Sequence, residues 1–311
     1  MKNIIFMGTP DFAVPSLEAI HNSKHNICAV VTNPDKLAGR GRKLVSSAVK
    51  QKAEELGYFV LQPKNLNSPE FLDEIRSLNP SLMVVIAYKK IPSNLYEIAE
   101  NGAVNLHASL LPKYRGAAPI HHALLNGDKE TGLTTFKIND KIDTGNILYQ
   151  KKVNIEENDN IGTLWTKLSN LGKDVILKTL NQFESGIFNY QIQDNQYATK
   201  APKIKSEDFK INWMNSAISI HNQIRAFTPK PGAYTTLNGK RIKLFSSFVS
   251  YPSKDEFAKT PGKITSKKNR ILIMTGHGVL NVHEIQPEGK PRMDVASYLT
   301  GNKIFKDAIC Q

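Results

Sequence analysis

Asn105, His107 and Asp143 have the side-chain types and spacing to do chemistry. In Val104-Asn105-Leu106-His107-Ala108 an amide and an imidazole lie two positions apart. In extended backbone, alternate side chains point to the same face, so Asn105 and His107 share one face and Val104 and Leu106 the other. An amide N–H can donate to a developing negative charge, and an imidazole can give or take a proton near neutral pH. Asp143 follows in Asp140-Lys141-Ile142-Asp143-Thr144-Gly145, a turn-forming stretch that leads into an apolar run. A carboxylate there could hold a protonated imidazole or accept a proton. The residues alone leave two readings open. These polar groups either find structural partners at the end of a core strand, or they converge on a substrate.

The flanking pattern says what must position them. Ile4–Gly8, Ile27–Thr32, Leu82–Tyr88, Ala103–His107, Leu133–Ile138 and Ile147–Val153 read as strands. Helices are expected after Thr9-Pro10-Asp11, with Thr9 as cap, and over Ser46–Leu56, Pro69–Leu78 and Pro119–Leu125. Asn160–Phe183 carries Ile161, Leu164, Trp165, Leu168, Leu171, Val175, Ile176 and Leu180 on one stripe and reads as a long amphipathic helix. Helices alternating with buried strands predict a three-layer α/β domain with a mostly parallel, Rossmann-like sheet. The turn Gly8-Thr9-Pro10-Asp11 lacks the G-x-G-x-x-G spacing, which disfavours a nicotinamide enzyme, yet such turns line ligand crevices in open sheets.

Beyond residue 190 the texture changes. Residues 191–206 read as a linker between a catalytic domain over 1–190 and a second domain over 207–311. After a short helix near Ala217–Ala226 come close-spaced β-like runs at Ala233–Leu237, Arg241–Val249, Gly262–Thr265, Arg270–Met274 and Gly278–Gln286. That spacing predicts a small β-barrel.

Composition narrows the class. The 311 residues are 40% hydrophobic, enough for ordinary globular cores. No apolar run approaches the roughly 20 residues that span a bilayer, and no signal peptide is legible, so a cytoplasmic protein with no membrane partner is expected. Two cysteines, Cys28 and Cys310, are too few for a disulfide framework or a Cys-based metal site, and no metal is expected. Net charge is +13. Residues 1–205 hold 25 Lys and Arg against 20 Asp and Glu, while residues 206–311 hold 16 against 8. The excess in the shorter segment suggests a polyanionic partner.

The pattern Asn-x-His-x-Ser-Leu-Leu-Pro-x-x-x-Gly over residues 105–116, with Asp143-Thr144-Gly145 after it, resembles the enzymes that use 10-formyltetrahydrofolate. Among them the chain is most similar to the branch that formylates methionyl initiator tRNA. Met7-Gly8-Thr9-Pro10-Asp11-Phe12-Ala13, the basic stretch from Asn33 to Leu44, Arg115-Gly116-Ala117-Ala118-Pro119-Ile120 and Arg225-Ala226-Phe227 all match that branch. The sequence departs from it after Ala87-Tyr88, where Lys89-Lys90-Ile91-Pro92 runs one residue shorter than the family's loop.

The resemblance implies transfer of a formyl group from 10-formyltetrahydrofolate to the amino group of methionyl initiator tRNA, for translation initiation. It implies Asn105, His107 and Asp143 as the catalytic residues. The folate would be held by Ser109, Leu110, Leu111 and Pro112, chiefly through backbone and shape, with Tyr88 at the rim. The tRNA would be bound by Arg40, Arg42 and Lys43. A monomer is implied, with no metal. Two rivals are a sugar-nucleotide formyltransferase, which would lack the basic stretch, and a non-catalytic RNA-binding protein, against which the intact Asn105, His107 and Asp143 speak.

Overall fold

The computed structural model describes residues 3–38, 43–251, 260–267, 269–302 and 308–311. Arg40 and Arg42 lie outside them. The chain divides into two compact units. One comprises residues 1–119, 130–154 and 165–202, the other residues 120–129, 155–164 and 203–311.

The strands run β1 (Ile4–Gly8), β2 (Ile27–Val31), β3 (Lys36–Ala38), β4 (Lys43–Val45), β5 (Val60–Leu61), β6 (Leu82–Ile86), β7 (Ala103–His107), β8 (Arg115–Gly116), β9 (Glu130–Lys137), β10 (Ile147–Asn154) and β11 (Lys200–Ala201). The helices are α1 (Val14–His21), α2 (Ala48–Glu55), α3 (Pro69–Ser77), α4 (Ser93–Tyr96), α5 (Pro119–Leu125) and α6 (Ile161–Ser185). Among the described residues, seven strands form one sheet in the order β10-β9-β7-β6-β1-β2-β5. Pairing is parallel from β5 to β7, and antiparallel for β7 with β9 and β9 with β10. The mostly parallel sheet expected from the sequence is present.

All residues of β1 and β6 are buried. This is why those strands read as unbroken apolar runs, since both faces of a parallel sheet are covered. One face collects Ile5, Met7, Val31, Met83, Val85 and Ala103 with Phe71, Leu72 and Ile75 of α3 and Leu95 of α4. Burying each such side chain stabilises by roughly 1.5–3 kcal/mol. Near its start α6 is tied down by two polar bonds: Trp165 Nε1 donates to Asp11 Oδ1 at 3.1 Å, and Ser169 Oγ to Phe12 O at 2.9 Å.

Two local expectations change. Thr9 does not cap the first helix. Pro10 holds the cap position of the short turn Asp11–Ala13, and the Thr9 hydroxyl is buried without a partner among the described residues. The third core strand ends at Ile86 rather than Tyr88, because Ala87 turns into the left-handed region at φ 49°.

The second unit contains α7 (Ala217–Phe227), β12 (Ala233–Leu237), β13 (Lys240–Ser250), β14 (Ile264–Lys267), β15 (Arg270–Met274), β16 (Val279–Pro287), β17 (Met293–Asp294) and α8 (Val295–Gly301). Its sheet runs β12-β13-β16-β15-β14, with β17 on β16. Residues 308–311 join the two margins. Thr236 of β12 and Gln311 exchange backbone bonds at 2.9 Å, Ile264 N of β14 donates to Ala308 O at 2.9 Å, and Cys310 N to Gly262 O at 2.8 Å. This last stretch completes the circuit of an antiparallel barrel. No helix among the described residues is long and apolar enough to cross a membrane.

Two imidazoles are half-buried in this unit. His121 lies 6.1 Å from the Phe227 ring, and His221 Nδ1 is 3.0 Å from Ser247 Oγ. Burial pushes each down to about 4. Both are neutral when folded but ionise near pH 6.5 when unfolded. Their contribution is therefore complete above about pH 6.5 and lost as pH falls toward 4. Urea midpoints should drop steadily between pH 7 and 4.5, by roughly 3 kcal/mol at most from each histidine. His121→Phe should flatten the decline, and a pH-independent midpoint in the unaltered protein would contradict it.

Candidate active site

β7 places the first two polar side chains. It lies between its parallel neighbour β6 and its antiparallel neighbour β9, where the sheet changes direction. Asn105 pairs with Val85 on one side and Phe136 on the other, and His107 with Thr134. Strand alternation puts Asn105 and His107 on the face shared with Ala103 and Val85, while Leu106 turns to the opposite face, against Gly172 of α6. The Asn105 side chain is partly exposed and makes no hydrogen bond with a described residue. At the end of a core strand, an amide with open donors is free to serve a ligand.

His107 is 6% exposed. Its Nε2 lies 2.9 Å from Tyr114 O. A carbonyl only accepts, so Nε2 carries a proton, and in the neutral ring Nδ1 holds the lone pair. That Nδ1 faces Asp143 Oδ2 at 3.7 Å, within ion-pair range but beyond a hydrogen bond. Asp143 Oδ2 accepts the Gly116 N–H at 2.7 Å, which fixes the direction of the carboxylate. Of the three side chains predicted to work together, His107 and Asp143 thus approach each other, and Asn105 shares the strand face of His107.

The backbone around them is unusual. Tyr114 and Asp143 both sit in the left-handed region, at φ 61° and 54°. Tyr114 N donates to Thr199 Oγ1 at 2.8 Å. Gln193 Nε2 donates to Asp143 O at 3.0 Å and Gly145 O at 2.8 Å. Gln193 Oε1 accepts from Arg115 Nε and Nη2 at 3.0 and 2.7 Å, and Arg115 Nη1 reaches Asn195 Oδ1 at 2.9 Å. Beneath this network β8 pairs with β11. A Cβ on Gly116 would come within 2.6 Å of Ala201 O, so only glycine permits the approach. Residues 191–202, read as part of a linker, are therefore bonded into the first unit. No periodicity marked Gln193, Asn195 or Thr199, because their role depends on distant partners.

The segment expected to hold the folate is a closed loop. Ser109 O accepts from Thr134 Oγ1, Leu110 O from Lys113 N, Leu111 O from Gln150 Nε2 and Pro112 O from Thr199 N. Ser109 Oγ turns inward to Lys113 O at 2.6 Å. With each of these carbonyls already bonded, the loop offers a ligand shape and apolar surface. Tyr88 packs against the core cluster that includes Met7 and Val85, and its hydroxyl is buried with no described partner. Burial pushes its ionisation up to about 12, so it remains a neutral donor.

Lys43 is exposed and opens β4, which forms a hairpin with β3. Asp35 at the root of that hairpin accepts from Lys50 Nζ at 2.7 Å and Gln62 Nε2 at 2.8 Å. The Lys50 ammonium holds this carboxyl below the usual range. The described residues contain no group of three or more His, Cys, Asp or Glu that could hold a metal ion.

Comparison with known proteins identifies the family. A formyl transferase family model matches residues 1–180, and a formyl transferase C-terminal domain model matches residues 203–303. A methionyl-tRNA formyltransferase of Caldanaerobacter subterraneus is 44% identical over 98% of this chain and 99% of its own. One of Thermodesulfovibrio yellowstonii is 44% identical over 97% of each chain. Among solved structures, the sugar 3N-formyl transferase WlaRD, determined with dTDP and 5-N-formyl-THF, superposes with a TM-score of 0.69 at 23% identity, covering 94% of this chain and 99% of that one. An N-formyltransferase of Helicobacter canadensis gives 0.66 at 22% identity, covering 91% and 98%. At those identities the structural likeness speaks for the fold.

Proposed function

The chain belongs to the formyl transferase family, and we propose that it moves the formyl group of 10-formyltetrahydrofolate onto the amino group of methionyl initiator tRNA, the step that prepares that tRNA for translation initiation. The observation that carries this reading is the agreement with methionyl-tRNA formyltransferases across both halves of the chain, including the C-terminal part. The unpartnered Asn105 amide fits a site for an acyl oxygen. Ser109–Pro112 and Tyr88 would hold the folate, which brings the activated formyl group.

When the amine adds to the formyl carbon, negative charge develops on the formyl oxygen, and the nitrogen must lose a proton. The Asn105 N–H donates to that oxygen. His107 Nδ1 does the same when protonated, with the Asp143 carboxylate 3.7 Å away to balance its charge. Asp143, directly or through water, takes the proton from nitrogen, and a proton returns to the leaving nitrogen as the C–N bond breaks. His107 Nε2 stays committed to Tyr114 O, which orients the ring throughout. No covalent intermediate with the chain is required.

Residues 1–190, with residues 191–202 bonded into the same unit, would perform the transfer, and 207–311 would contribute the basic surface for tRNA phosphates. Arg40, Arg42 and Lys43 would meet the acceptor end. The enzyme would act as a cytoplasmic monomer.

The test is formyl transfer from 10-formyltetrahydrofolate to Met-tRNA, with an amino-sugar nucleotide as competitor. Formyl-Met-tRNA should form with the competitor present in excess. Formylation of the amino sugar instead would reassign the substrate.

A further inference from the structure

We propose that Gln193 is a positioning residue, which holds the Asp143 turn in the geometry that formyl transfer needs; this rests on the reading of Asp143 given under the proposed function. Gln193 is 6% exposed, and all four hydrogen-bonding positions of its amide are used. Both N–H groups point at carbonyls of one turn, those of residues 143 and 145. Both oxygen lone pairs receive guanidinium N–H groups of Arg115. The amide can face only one way, because the carbonyls need a donor and the guanidinium needs an acceptor.

The turn needs such support. A non-glycine residue in the left-handed region is strained and persists only where its surroundings over-determine it. Asp143 lies there at φ 54°. Its side chain is held by one bond, from Gly116 N, and its backbone carbonyl by Gln193. Gly116 adjoins Arg115, the other partner of Gln193. One amide therefore ties together the two segments that determine where the carboxylate points. The same stretch supports the other wall of the site, since Thr199 Oγ1 accepts from Tyr114 N, whose carbonyl faces His107 Nε2. Gln193 touches none of the three proposed catalytic side chains, so it would act through their placement.

Gln193→Glu isolates this role. The carboxylate is nearly isosteric and keeps its partner Arg115, but it has no N–H for residues 143 and 145. A misplacement of about 1 Å can cost on the order of a hundredfold in rate. Gln193→Glu should lower kcat about 10- to 100-fold, with KM for Met-tRNA and for 10-formyltetrahydrofolate within roughly threefold of the unaltered enzyme. In an Asp143→Asn background, followed by single-turnover kinetics, the same substitution should have almost no further effect, because the group it positions is gone. Full additivity with Asp143→Asn would overturn the proposal, as would a Gln193→Glu enzyme with unchanged kcat beside a crippled Asp143→Asn enzyme. If Asp143→Asn itself turns over normally, it is the catalytic reading of Asp143 that fails. If Gln193→Glu does not fold, Gln193→Asn, one methylene shorter, is taken through the same cycle. Failure of both to fold would make Gln193 a requirement of the fold and refute its role as a positioning residue.

Discussion

Asn105→Ala should lower turnover at least about a hundredfold while leaving tRNA binding within a few-fold, and His107→Ala should do the same. The two losses arise differently. Asn105 makes no hydrogen bond with a described residue, so its removal leaves no protein group unsatisfied. Stability should then stay within about 0.5 kcal/mol, and the rate loss reports the missing donor alone. His107 is itself nearly buried and orients on Tyr114 O. Its removal leaves that carbonyl without its partner, at a cost of about 1–3 kcal/mol in stability. Thermal unfolding beside single-turnover kinetics separates the two contributions. An Asn105→Ala enzyme with unaltered turnover would remove the amide from the mechanism.

Gly145→Ala should be the most damaging change of a single methyl group. A Cβ there would lie 1.7 Å from Lys137 O and 3.2 Å from the Phe136 ring. The first obstacle is backbone of β9, which cannot step aside without disturbing its pairing with β7 and β10. Overpacking of this kind costs typically 1–3 kcal/mol, occasionally more. The turn also carries Asp143 two residues upstream and accepts a Gln193 N–H at Gly145 O. Activity should therefore fall further than stability, by about a hundredfold if the carboxylate moves by about 1 Å. Gly301→Ala is the matched control, since nothing lies within 4 Å of a Cβ there. It should match the unaltered protein in melting temperature and rate. Equal behaviour of the two variants would show that the close approach at Gly145 is unimportant.

The long elements were legible because their partners cover them uniformly. The apolar runs of β1 and β7 keep their expected bounds. The amphipathic stripe of α6 predicts most of its buried side: Ile161, Leu164, Leu168, Val175, Ile176 and Leu180 are buried, while Trp165 and Leu171 of the same stripe are half-buried. The short strands β3, β4, β8, β11 and β17 carried no legible pattern, for two or three residues hold too little periodicity, and their existence is decided by a partner far along the chain. The same holds at the site. Asn105 and His107 declare themselves by sharing one strand face. Asp143 acquires meaning from the resemblance and from its distance to His107. Gln193 is invisible in sequence, since a glutamine between two turn-like stretches looks like any solvated linker residue, and only its bonds to residues 115, 143 and 145 distinguish it.

The joining of β12 to β14 through residues 308–311 bears on how the protein is made. A ribosome delivers both margins of that sheet well before the stretch that seals them. In the interval Thr236 and Ile264 present bare amide and carbonyl rows, the kind of surface on which two nascent chains pair with each other. Vectorial synthesis thus leaves this module exposed to mispairing until residues 308–311 emerge, and chains halted before Ala308 should be the ones that aggregate.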